Sequence, residues 1–286
     1  MPVSSPDNDS LDPPESVDLG LEVSRELNKR EAEAWLAQRG WQLMGATADE
    51  RAAIWNLRAF LLAARTEVFQ PARFEDRKGK LDQWLFSLGQ AFLGRAHSDA
   101  AAAVAETAER YEIPRAFFYD ALTAIESNLM RERLVQPNDL LRLAYRQNAS
   151  FTLSVAKVVD LYQPAHRDYF LCLGIGTGLM DILVDWPHWE RTGWLPIPQA
   201  WWPGTWGARG LFPRDYRQPL RLTASVRRRY LPSIWRQMAT LGIETLAQAK
   251  PPTAVAASAM APMFAQWQAA SMDRLHAVFD DPQQLL

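Results

Sequence analysis

Leu173-Gly-Ile-Gly-Thr-Gly-Leu-Met-Asp181-Ile-Leu-Val-Asp185 reads as an apolar helix that carries two carboxylates. Asp181 and Asp185 stand four residues apart, hence on one face, among Leu179, Met180, Ile182, Leu183 and Val184. Charges on so apolar a helix require a partner: a cation, a metal or a polar cavity. Oxygen ligands one turn apart suit Mg²⁺, which in turn suits a phosphate. Arginines from a neighbouring helix would satisfy the same carboxylates without metal. The glycines Gly174, Gly176 and Gly178 follow no strand and open no βαβ unit, so a dinucleotide loop is excluded; small residues here let two helices approach closely.

Outward from this helix the texture stays helical. Thr47-Ala-Asp-Glu50 caps a helix with Ala52, Leu57, Phe60, Leu61 and Ala64 at helical spacing. Asp99–Tyr111 consists almost wholly of helix formers, Pro114 opens another helix, and Pro137-Asn-Asp139 starts one running toward Val159. Further helices are expected over about 166–185, 219–241 and 254–279, with an irregular, proline-rich stretch from Trp186 to about Arg214. No convincing alternating strand appears, so the predicted class is all-α. Residues 1–20, rich in proline and acids, read as a disordered tail, and residues 21–286 as a single helical domain.

Composition narrows the function. Across 286 residues, Lys+Arg 31 against Asp+Glu 33 leaves a net charge of −2, which offers no general field for nucleic acid. The single cysteine, Cys172, excludes an intramolecular disulfide and a cysteine-cluster metal site. The four histidines, His97, His166, His188 and His276, form no metal-ligand spacing. Without a signal peptide or a long apolar run, a cytoplasmic protein is expected, with peripheral membrane contact at most.

From about Trp41 to Leu241 the chain resembles the squalene/phytoene synthase family of head-to-head prenyltransferases. The stretches that carry the resemblance are Arg51–Phe60, Leu81-Asp-Gln-Trp84, Ile113–Arg115 through Glu126–Leu129, Leu141 through Ser150, and Leu173 through Pro196. The resemblance implies an isoprenoid-synthase helical bundle around a central cavity. It also implies two prenyl diphosphates held through Mg²⁺ by two DxxxD motifs on facing helices.

Both motifs are altered. Where the first should lie, the chain has Arg65-Thr-Glu-Val-Phe69. In the second, Asp185 survives, Asp181 stands at the family asparagine, Val184 replaces an arginine and Trp189 replaces the last aspartate. A further family aspartate is Asn128. Ordinary squalene or phytoene synthesis is therefore not expected, because one residual carboxylate pair cannot hold and ionise two trianionic substrates.

Two readings remain. In the first, an allylic prenyl group moves from its diphosphate to a non-diphosphate, apolar or aromatic acceptor. Arg58, Arg65, Glu126 and Asn128 would then bind the diphosphate, with Arg65 clamping it directly. Asp181 and Asp185 would hold Mg²⁺ or accept a proton. Phe69, Phe117, Phe118, Tyr145, Trp186 and Trp189 would line the acceptor and prenyl pocket. Six of the 12 tryptophans lie within Trp186–Trp206, where they would form either an aromatic wall or a packed lid. In the second reading the chain is catalytically silent, an assembly factor or partner subunit, and Arg65 merely fills a dead site, with Glu126 as a candidate partner. The gain of Asp181 beside Asp185 tips the sequence toward the enzyme.

Overall fold

The computed structural model describes residues 29–202 and 222–285. Among them there is no strand. The expected tail, residues 1–20, lies outside the described residues, as do Trp206 and the rest of 203–221.

Helix α1 covers residues 29–38 and ends in a turn at Arg39 and Gly40. Helix α2, Ala48–Val68, starts at the predicted cap: the Thr47 side chain accepts from the Glu50 backbone and Glu50 reaches back to the Thr47 N–H. Helices α3 (Phe74–Ala91), α4 (Asp99–Arg110) and α5 (Arg115–Leu129) follow, α5 behind Pro114. Helix α6, Pro137–Ala144, runs through a π turn, Tyr145–Ala149, into α7, Ser150–Val158. The sequence predicted this rod as one regular helix; the π turn is an insertion that re-aims its side chains.

Helix α8, Arg167–Val184, holds the opening stretch. It is apolar nearly all round because it is wrapped on several sides: by α6, the π turn, α7, α10 (Ala224–Gln248) and α12 (Ala261–Asp280). Its glycines permit this crowding. A Cβ on Gly174 would stand 2.4 Å from the Ala149 Cα, and one on Gly178 would stand 2.8 Å from the Ala144 carbonyl oxygen. Asn148 on the π turn donates to the Thr177 hydroxyl at 2.9 Å, tying the same two segments together.

The stretch after Asp185 departs from expectation. It begins with a further helix, α9, Trp186–Thr192, closed by Gly193 in the left-handed region at φ 69°. A short helix, α11 (Thr253–Ala256), precedes α12. No single helix among the described residues is long and apolar enough to cross a membrane.

Candidate functional site

Helices α2, α5, α8 and α9 and the π turn converge on a small central cavity. Arg58 and Arg65 reach it from α2, two turns apart, with Phe69 at the cap of that helix. Asn128 comes from α5 and Gln147 from the π turn. Asp181 lies on α8, Asp185 caps its C-terminus, and Trp189 follows on α9. Trp35 of α1 closes one wall.

The carboxylates are already occupied. Arg39, a residue the sequence reading passed over, is 1% exposed; it donates to both Asp181 and, at 3.2 Å, Asp185. Arg65 donates to the other Asp185 oxygen at 2.6 Å. Arg58 stands 3.7 Å from Asp181. The guanidinium carbons of Arg39 and Arg58 also lie over the Trp35 ring, 3.6 and 3.0 Å from its centre. The signal for Arg39 was a cation four residues after Trp35 at the end of a helix, but its partners lie 142 and 146 positions away.

Burial and charge pull these groups in different directions. Burial pushes the Asp181 carboxyl above its ordinary range, against the attraction of Arg39 and Arg58. Burial would raise Asp185 too, but Arg65 and Arg39 outweigh it and hold that carboxyl below the usual range. Desolvation lowers the Arg58 guanidinium well below its normal value, Asp181 only partly compensating. His188, beside Asp185, is pushed down to about 3 by burial and by Arg65.

At the expected metal site both carboxylates are engaged by arginines. A Mg²⁺ ion demands several free oxygens in octahedral geometry, whereas Asp181 and Asp185 face three guanidiniums. Among the described residues no cluster of three or more acidic, histidine or cysteine side chains could hold a metal. The residues present do not fit Mg²⁺.

The remaining expected residues divide. Arg58, Arg65, Phe69, Asn128 and Trp189 line the cavity with the two aspartates. Glu126 does not: it is exposed, and Arg65 pairs with Asp185 instead. Trp186 is buried edge-on against Trp235, away from the cavity, because the turn at Asp185 sends it into the core beside α10. Phe118 packs against Phe60 and Phe92, and Phe117 against Tyr162. Tyr145 donates to Asp120 at 3.0 Å; burial and that carboxylate push its phenol up to about 12. None of these four lines the cavity. In the tryptophan-rich stretch Trp186, Trp189, Trp194 and Trp202 are buried in the core, and Trp201 is half-buried against it. Trp189 donates to the Ile182 carbonyl at 2.9 Å and Trp194 to the Glu132 carbonyl at 3.0 Å.

The cavity measures about 60 Å³. Beside it lies a cleft of about 660 Å³ that shares Trp35, Leu62, Arg65, Phe69 and Asp185 and adds Arg77, His188 and Arg191.

Residues 43–278 match the sequence profile of the squalene/phytoene synthases. The chain belongs to the squalene/phytoene synthase family. Among solved structures, it is similar to a squalene synthase, HpnC, from Alicyclobacillus acidocaldarius, with a TM-score of 0.69 and 14% identity over 96% of this chain and 97% of that one. It is also similar to a dehydrosqualene synthase in complex with ligand, with a TM-score of 0.65 and 14% identity over 91% and 89% of the two chains. At such identity these structures establish the isoprenoid-synthase helical fold that the sequence predicted. No curated protein sequence matches significantly. Within the squalene/phytoene synthase family the Mg²⁺ requirement is typical, which makes the guanidinium-filled centre of this member a departure in charge as well as in sequence.

Proposed function

We propose that this chain is a non-condensing member of the squalene/phytoene synthase family that works as a partner or assembly subunit. One observation carries the reading: Asp181 and Asp185 are bonded to Arg39 and Arg65, with Arg58 behind them. Removing either carboxylate to serve a metal would strand buried cations, which is costly. The presence of Asp181, which favoured an enzyme in the sequence, has a structural explanation as the partner of Arg39 and Arg58. The central cavity of about 60 Å³ is far below the roughly 300–1,000 Å³ of small-molecule sites, so it has no room for prenyl chains. Phe86 and Leu93, 60% and 64% exposed, provide apolar surface for a protein contact. The test is turnover: farnesyl or geranylgeranyl diphosphate with Mg²⁺ and NADPH should give neither squalene nor phytoene, and either product would overturn the reading.

A second reading keeps the transferase, moving an allylic prenyl group from its diphosphate to an aromatic acceptor. The cleft beside the cavity favours it, being large enough for a ligand and carrying Arg65, Arg77 and Arg191 on its walls. Incubation with dimethylallyl, geranyl and farnesyl diphosphates and a panel of phenolic and indolic acceptors tests it; release of diphosphate coupled to a prenylated product would support it over the first reading.

A further inference from the structure

A separate pocket lies where the end of α2 meets α3 and the start of α4. Glu67, Trp84, Phe86 and His97 line it together with Ser87 and Ser98, and none of them lines the central cavity or the cleft beside it. Its volume of about 370 Å³ falls within the roughly 300–1,000 Å³ of small-molecule sites. Trp84 is held from behind, packed edge-on against the buried Phe60 with 5.3 Å between ring centres. Phe86 is 60% exposed and lies nearly parallel to His97, 5.9 Å away. A ring standing this far out in water has apolar surface for a ligand to cover.

Glu67 supplies the charge. It is half-buried in the last turn of α2, the end of the helix that already carries partial negative charge, so a carboxylate is unfavourable there. The Trp84 indole donates to its Oε2 at 2.9 Å and fixes it at the pocket. That indole is the carboxylate's only partner among the described residues. Lys80 bonds the Glu67 backbone carbonyl at 3.3 Å and Gln70 at 2.9 Å instead, and no lysine or arginine lines the pocket. A cation here would answer both the carboxylate and the negative helix end. One carboxylate is too few oxygens for a metal ion. An organic cation with N–H donors can bond Oε1, lie against the aromatic faces and cover Phe86 with its carbon body. The hydroxyls of Ser87 and Ser98, 3.2 Å apart, add two acceptors.

We propose that this pocket binds a small primary alkylammonium compound, its charge on Glu67 and its carbon body against Trp84, Phe86 and His97. This goes beyond both readings above and depends on neither, because the pocket shares no residue with the central site.

The Trp84 indole N–H reports on the site directly, because it donates to the carboxylate that takes the cation. Its nitrogen–proton NMR resonance, assigned by its loss in Trp84→Phe, is followed in the full chain during titration with butylammonium chloride. Sodium chloride at matched ionic strength controls for charge, and butanol for the carbon body. The expected result is a saturable shift with butylammonium and none with either control. Glu67→Gln keeps an acceptor for the indole and removes the charge, so it should stay folded and bind butylammonium at least about tenfold more weakly. Phe86→Ala, at an exposed position, should weaken binding about two- to fivefold through the lost ring. The proposal is overturned if the resonance does not move with butylammonium or moves equally with butanol. It is also overturned if folded Glu67→Gln binds butylammonium as wild type does. Tighter binding of acetyl-lysine amide than of butylammonium would overturn it in favour of a lysine side chain from a partner protein.

Discussion

The Nη1 of Arg65 donates to the Oδ2 of Asp185 at 2.6 Å, joining the last turn of α2 to the C-cap of α8. On the motif placement that the family resemblance implies, Arg65 stands at the first acidic motif and meets the surviving aspartate of the second.

Replacing both Asp181 and Asp185 by asparagine should therefore destabilise the protein. The change strands Arg39 and Arg58 in the core, and breaking a buried pair from one side costs on the order of 3–5 kcal/mol. Urea unfolding checks this. Unchanged or increased stability would mean that the carboxylates repel each other more than the arginines attract them.

Arg39→Leu should cost more than Arg65→Leu. Arg39 is 1% exposed and serves both aspartates, whereas the Arg65 side chain is 26% exposed and serves one. Partial exposure lets water compensate for a lost ion pair. The two midpoints of chemical unfolding, measured side by side, decide the order.

Stability should fall between pH 6.5 and 5, in part through His188. Its folded value of about 3 lies below the ordinary value of about 6.5, so the unfolded chain takes up a proton in this window and the folded chain does not. The contribution is present above pH 6.5 and is lost progressively as pH falls toward 3, at up to roughly 1.4 kcal/mol per pH unit. His188→Gln should flatten the profile, and an equal slope in the variant would assign the effect elsewhere.

Gly174→Ala should destabilise by about 1–3 kcal/mol or more. The new Cβ would lie 2.4 Å from the Ala149 Cα, a backbone atom that cannot rotate away. Gly79→Ala, where a Cβ meets nothing within 4 Å, is the control and should be neutral or stabilising. Melting temperatures of the pair test the packing of α8 against the π turn.

Helical periodicity, the Thr47 cap, the proline starts and the small-residue approach of α8 were legible because each depends on neighbours within a turn or two. Family membership was legible for a related reason: the order and spacing of short blocks survive even where their identities do not. The altered motifs could be read residue by residue, and they pointed at Arg65, Asn128, Asp181, Asp185 and Trp189 without saying what each would touch. That was decided by packing. Arg39 meets Asp181 across 142 positions and Arg65 meets Asp185 across 120, and no local rule ranks such partners among the 31 basic residues available. Trp186 and Trp189 sit three positions apart, yet the turn at Asp185 sends one into the core against Trp235 and the other to the cavity wall. Side chains and their spacing specify helices because the relevant hydrogen bonds are local. Which buried charge pairs with which is a property of the assembled bundle, because burial makes a long-range ion pair matter and burial exists only once the helices have packed.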